Sequence, residues 1–519
     1  MGDKTSFVEQ INAGYTFKGD SFVLGAAMLN GETIADAKVK LPLKTMNRHG
    51  LIAGATGTGK TKTLQLISEG LSNASVPVLL MDIKGDLSGI AAAGKLNDRI
   101  ADQYAQIGLE YKPQAFPVEL LSLSKQKGVK LKATVSEFGP ILLSKILDLN
   151  ETQGSFVSLI FKFCDDRQLP LLDLKDFIRV LQYISAEGKA EIEKDYGKIS
   201  TSSTGTILRK VIELQQQDAD RFFGEKSFEV DDLMRINEEG RGMISVLRLT
   251  DVQDKPKLFS TFMLSLLAEL YATLPEEGDM DAPKLVIFID EAHLIFKEAS
   301  SALLSQIETI IKLIRSKGVG IFFCTQNPSD IPASVLSQLG LKVQHALRAF
   351  TANDRKAIKQ AAENYPETSF YDVDEMLTQL GVGQAFITLL NEKGIPTPLV
   401  ATMLCAPSSR MDILSDDEID TLVKSSKLVA KYNQEIDSES AYEILNAKML
   451  EASKRNEIVE EETTESRRST KAEKSTLEQI LASPVTKQIG RTAAQVITRS
   501  LLGALGLGGK SSSKSKSWF

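Results

Sequence analysis

The sequence predicts an α/β protein: a parallel sheet whose core is interrupted by a largely helical insertion. Three observations carry this. "GLIAGATGTGKTKTLQLISEGL" followed by "VPVLLMDIKGDL" reads as strand, glycine loop, helix, strand. "KLVIFID", "VGIFFCTQ" and "KVQHALRAF" are further strand signals, the first two separated by a helical pattern. Helix-period apolar positions recur between them and the first unit, in "SEFGPILLSKILDL", "QGSFVSLIFKFC", "LKDFIRVLQYI" and "GTILRKVIELQQQ".

In chain order, residues 1–46 form a small β element with an Asn30-Gly31 turn. Residues 47–98 and 241–405 form the α/β core, and 99–240 the mostly helical insertion. The second core half holds the strand "GMISVLRL" and a buried helix at 256–274. In "ASSALLSQIETIIKLIRSKG" the apolar positions 303, 304, 307, 310, 311 and 314 share one helical face, and Gly318 ends it. "QAFITLL" and "TPLVATMLC" read as a hairpin closing the core. Residues 406–519 are a charged helical or flexible tail. Its last part, from Leu481, has no acids and six Lys or Arg. The piece "TRSLLGALGLGG" there reads either as a solubilising tail or as a surface-binding amphipathic segment.

The chain has 519 residues and a net charge of −7, which disfavours broad non-specific nucleic-acid binding but allows a local basic channel. Three scattered cysteines and three scattered histidines give no metal or disulfide pattern. No leader pattern and no apolar run of about 20 residues is present, so a soluble cytoplasmic protein without a transmembrane segment is expected.

"GATGTGKT" fits G-x-x-x-x-G-K-[ST] and follows an apolar strand. Gly54, Ala55, Thr56, Gly57, Thr58 and Gly59 are expected to wrap a phosphate chain with backbone N–H groups, together with Lys60, Thr61 and Lys62. Lys60 would reach the β- and γ-phosphates and Thr61 would ligate Mg²⁺, so ATP and Mg²⁺ are the expected ligands. "LVIFIDE" is a buried strand ending in two acids. Asp290 is placed to hold Mg²⁺ through its water, and Glu291 to polarise the attacking water. Gln326 ends the strand expected beside it, where an amide can touch γ-phosphate or its water.

Asp290-Glu291-Ala292-His293 spells the tag of the DEAH-box helicases, but the Ser-Ala-Thr and Q-x-x-G-R-x-x-R motifs of that family are missing from their places. His293 is then read as packing or a hydrogen bond rather than a proton shuttle. "LGVGQ" at 380–384 echoes the ABC-transporter signature, yet follows the acidic strand instead of preceding it, and is rejected too. Arg315 is open to two readings: a cation at a helix C-terminus, or an arginine finger reaching a neighbouring subunit's nucleotide. Arg348 is a second candidate finger.

"HGLIAGATGTGKT", "VLLMDIKGDL", "LVIFIDEAHLIF" and "LIRSKGVGIFFCTQNPSDIP" together resemble the HerA/FtsK superfamily of ring translocases, and within it bacterial HerA-like P-loop NTPases. The resemblance spans most of residues 20–405. It implies a RecA-like core with an acidic strand beside the phosphate loop, working as a homo-hexamer on DNA. By resemblance, Arg315 sits where related coupling ATPases place their trans arginine, and Asp82 and Asp86 sit in an acidic motif facing the site. Only about fifty residues precede the loop, where HerA proper carries a longer β-barrel. The expected function is an ATP-hydrolysing DNA translocase or helicase-like motor. The alternative is a nucleotide-gated assembly ATPase acting with a protein partner that the sequence does not name.

Overall fold

The computed structural model describes residues 4–198, 200–278, 280–297, 301–349, 351–436 and 438–451. Its strands are β1 (Ser21–Leu29), β2 (Glu32–Pro42), β3 (Gly50–Ala53), β4 (Val78–Asp82), β5 (Val118–Ser122), β6 (Val129–Lys130), β7 (Ile244–Arg248), β8 (Leu285–Ile289), β9 (Val319–Thr325), β10 (Leu341–Gln344), β11 (Gln384–Thr388) and β12 (Val400–Leu404). They form one 12-stranded sheet in the order β2-β1-β12-β11-β10-β3-β9-β8-β4-β7-β5-β6. From β10 to β6 all neighbours run parallel. From β10 to β2 they alternate direction. This is an α/β, RecA-like core.

The central strands read as continuous apolar runs because both of their faces are covered. Every residue of β3, β4, β8 and β9 is buried. The helix Ser301–Ile314 turns Ile307, Ile310, Ile311 and Ile314 inward, each at most 1% exposed. Gly318, at φ 77°, ends the following 3-10 turn in the left-handed region that suits glycine.

The chain divides into two compact units. One comprises Met1–Leu131 and Phe228–Gln434 and contains the whole sheet. The other comprises, among the described residues, Lys132–Ser227 together with 435–436 and 438–451, and its longer helices are Val135–Ile146, Glu151–Arg167, Leu174–Ser185 and Thr201–Gln215.

Several boundaries differ from the sequence reading. The N-terminal hairpin β1–β2 is not free-standing, since β1 pairs with β12 and extends the main sheet. The segment expected to open the helical insertion carries β5 and β6. "VELLS" is too short to show a period, and its strand state comes from pairing with β7. The acidic strand β8 does not neighbour the phosphate-loop strand β3 directly, because β9 lies between them. Residues 406–434 belong with the sheet and add the helices Asp416–Ser425 and Lys427–Tyr432. The basic tail, including "TRSLLGALGLGG", lies outside the described residues.

Candidate active site

The phosphate loop leaves β3 at the carboxyl edge of the parallel sheet and enters the helix Lys60–Asn73. It is pinned by its neighbours on both sides. Gly54 N–H donates to Thr325 O at 3.2 Å, and Ala55 N–H to Ala346 O at 2.8 Å. Gly54 has φ 153°, and a Cβ there would lie 2.5 Å from His345 Cβ. Gly57, at φ 79°, has nothing within 4 Å of where a Cβ would be, so its outer face is open. Lys60 is 6% exposed and donates to Gly54 O at 2.7 Å and Ala55 O at 3.2 Å. Burial lowers its pKa, and the Lys84 ammonium adds to this. Thr61 is half-buried on the first helical turn.

Asp290 and Glu291 follow β8 at the same edge, 3% and 7% exposed. Burial pushes the Asp290 carboxyl up to about 6, with Lys84 opposing it. Glu291 sits at φ 46°, a left-handed conformation that costs a non-glycine residue about 1 kcal/mol. Lys84, from the turn after β4, ion-pairs with Glu291 Oε1, and its ammonium lies 4.0 Å from Asp290 Oδ2. Burial works against its charge, but Asp290 and Glu291 outweigh that and raise its pKa. Asp290 Oδ2 and both Glu291 carboxylate oxygens accept no aligned hydrogen bond. Lys84 and His293 cover the two Glu291 oxygens, which leaves Asp290 Oδ2 as the buried oxygen that fits a hard divalent cation and its water shell.

Gln326 follows β9 and is exposed. Since β9 separates β3 from β8, this places Gln326 between the phosphate loop and the acidic pair. His293 Nδ1 lies 3.3 Å from Glu291 Oε2, so the imidazole flanks the carboxylate. Asp82 turns inward: its carboxylate accepts the N–H groups of Gly85, Asp86 and Leu87, clamping the turn that carries Lys84. Burial raises it to about 6. Asp86 Oδ1 is buried without a hydrogen bond.

Arg315 is not brought to this cluster. It is exposed just before β9 begins, at the opposite edge of the parallel sheet. The seven residues of β9 span roughly 20 Å at strand rise, so Arg315 lies out of reach of the phosphate loop of the same chain. His49 fixes the end of its helix, taking Ile321 N–H at 3.0 Å on Nδ1 and giving Nε2–H to Ile311 O at 2.9 Å. Burial holds that ring neutral, with its pKa down to about 4. Arg348 is exposed on the phosphate-loop edge, two residues past the Ala346 carbonyl that holds Ala55.

Other residues at the site have no local motif. His345 is fully buried against the loop and neutral, burial holding its pKa near 4. The dismissed "LGVGQ" segment touches the loop as well, its Gly383 N–H facing Thr58 O at 3.4 Å. Lys62, expected among the phosphate ligands, sends its ammonium to Met411 O at 2.6 Å. It joins Gln65 and Glu69 in gripping residues 408–411 along one face of the loop's helix.

The family described as helicase HerA-like C-terminal matches residues 27–512 of this chain. The chain belongs to that family. This HerA-like chain is 23% identical over 365 residues to a DNA double-strand break repair helicase HerA of Sulfurisphaera tokodaii, covering 68% of the chain and 64% of that protein. A probable helicase of Methanocaldococcus jannaschii is 24% identical over 411 residues, covering 72% of the chain and 68% of its own length. The chain therefore spans just under two thirds of the HerA protein it matches. Among solved structures, the bacterial conjugative coupling protein TrwBdeltaN70 superposes with a TM-score of 0.51 at 13% identity, covering 78% of this chain and 94% of that one. At that identity the likeness concerns the fold, which is that of a P-loop NTPase. Among the described residues no helix is long and apolar enough to cross a membrane.

Proposed function

We propose that this HerA-like chain is an ATP-hydrolysing motor that works as a homo-hexamer translocating or unwinding DNA. One observation carries the reading. The phosphate loop, the Asp290-Glu291 pair and Gln326 meet at one sheet edge, while Arg315 is exposed at the other. A site divided in this way is completed by a neighbouring subunit in a ring.

The loop N–H groups and Lys60 bind the phosphates, which requires Lys60 to leave the Gly54 and Ala55 carbonyls. Thr61 and Asp290 would hold Mg²⁺, directly or through water, and the ion would neutralise charge on the transferring phosphoryl group. Among the described residues no cluster of three or more His, Cys, Asp or Glu forms a ready-made metal cage. That suits Mg²⁺, which takes most of its ligands from phosphate and water. Glu291 orients and polarises the attacking water, Gln326 contacts it or the γ-phosphate, and Arg315 reaches the neighbouring site. The names of the HerA relatives support DNA as the substrate.

The test is ATP hydrolysis with and without single- and double-stranded DNA, alongside native mass in nucleotide. The expected outcome is a hexamer whose turnover rises with DNA. The acidic net charge of −7 favours the second reading, a nucleotide-gated assembly ATPase with a protein partner. Turnover indifferent to every DNA form, with a protein co-purifying, would establish that reading instead.

A further inference from the structure

Lys84 lies outside both the phosphate loop and the acidic strand, and the roles above do not use it. Its position is nevertheless held. The Asp82 carboxylate accepts three N–H groups of the turn that carries it, at 2.7, 3.2 and 3.2 Å. Gly85 follows at φ 80°, where a Cβ would come within 2.6 Å of Thr250 Cγ2. The base of the turn is therefore rigid. The side chain above it, about a third exposed, reaches Glu291.

Charge balance gives this contact a meaning. The buried Asp290 and Glu291 lie in the field of two ammonium groups, Lys60 and Lys84, and Lys84 also feels the nearby Asp86 carboxylate. Lys60 is occupied by the Gly54 and Ala55 carbonyls, so Lys84 balances the acids. The pairing also covers the carboxylate that must take up water. A bound nucleoside triphosphate changes the balance, because its phosphates carry more negative charge than one Mg²⁺ cancels. A γ-phosphate set against Glu291 without an intervening cation would be two like charges in a poorly hydrated site. A lysine suits an exchange of partners: its ammonium is compact, its stem flexible, and its three donors can turn from one oxygen acceptor to another.

We infer that Lys84 senses the γ-phosphate of a bound triphosphate. Without a triphosphate its ammonium holds and masks the Glu291 carboxylate. With one bound, it moves to a γ-phosphate oxygen and releases Glu291 to take the attacking water. A diphosphate offers no such oxygen, so the mask stays. This rests on the reading of Glu291 as the base.

The test compares ATP and ADP affinities, each with Mg²⁺, in a Glu291→Gln background that binds without turning over. Adding Lys84→Met is expected to weaken ATP about tenfold and change ADP less than twofold. Lys84→Arg is expected to restore most of the preference. Thermal melting checks that each variant is folded, and Lys84→Gln is the substitute if the methionine variant melts early. A folded variant that keeps the parent's ATP-to-ADP preference overturns the role of Lys84. A parent chain that binds neither nucleotide overturns the proposed function instead, and turnover that survives Glu291→Gln alone overturns only the reading of Glu291 as the base.

Discussion

His345 and Thr63 join the helix of the phosphate loop to the end of β10. The Thr63 hydroxyl donates to His345 Nε2 at 2.8 Å, and His345 Nδ1–H donates to Gln384 O at 3.1 Å. A carbonyl can only accept, so the proton sits on Nδ1 and leaves Nε2 as the acceptor. Both groups are buried, which makes the ring a spacer between the loop's helix and β11.

Replacing His345 by alanine leaves a hydroxyl and a carbonyl unpaired beside a new cavity. The expected loss is about 3 kcal/mol of unfolding free energy, with weakened nucleotide affinity because Gly59 of the phosphate loop lies beside the same ring. Denaturant titration and nucleotide binding measure both. Wild-type stability would show the ring to be dispensable.

Glu69 supplies a pH dependence. Burial pushes its carboxyl from 4.5 up to about 7, against the hydrogen bonds from Ser408 and Ser409. The unfolded chain releases this proton near 4.5, while the folded chain keeps it until about 7. Stability from this group is thus complete below about pH 4.5 and lost as pH rises through 7. Relative to Glu69→Gln, the wild type should lose on the order of 3 kcal/mol between pH 4.5 and pH 8. Parallel stability curves for the two proteins would count against a raised Glu69.

Within the site, Lys60→Ala should abolish measurable ATP binding. Glu291→Gln should leave binding intact and slow hydrolysis by about a hundredfold or more. The two effects separate in a binding assay run beside a phosphate-release assay. Equal turnover in wild type and Glu291→Gln would remove Glu291 from the chemistry.

Arg315→Ala subunits should be folded and bind nucleotide, yet hydrolyse slowly by themselves. Mixed with Lys60→Ala subunits they should regain part of the activity, since each supplies what the other lacks at a shared interface. No recovery across mixing ratios, in assemblies shown to contain both subunits, would return Arg315 to a helix-capping role.

Much of the candidate site is legible in the sequence because its proposed chemistry is local. The loop at 54–61 and the acids at 290–291 are contiguous stretches next to apolar runs, and backbone turning and strand burial act over a few residues. The same holds for Gln326 at the end of β9. The residues that hold the loop were not legible. His345 lies 282 positions from Thr63 and Lys62 lies 349 from Met411, and no spacing rule links them. "LGVGQ" reads in sequence as an echo of another family's motif, whereas its contribution is a backbone that runs beside Thr58. β5 was missed because a five-residue buried strand carries no period and takes its state from its neighbours.

By itself the sequence determined which residues could do the chemistry: a phosphate loop, two acids on a buried strand, an amide on the next, and an arginine before it. Tertiary structure alone decided how they are shared out. Inserting β9 between β3 and β8 sets Gln326 between loop and acids, and the parallel direction of the strands sends Arg315 to the far edge. Folding the turn after β4 back over the edge brings Lys84 to Glu291. Strand order and direction are products of packing across the whole chain, so no local stretch encodes them.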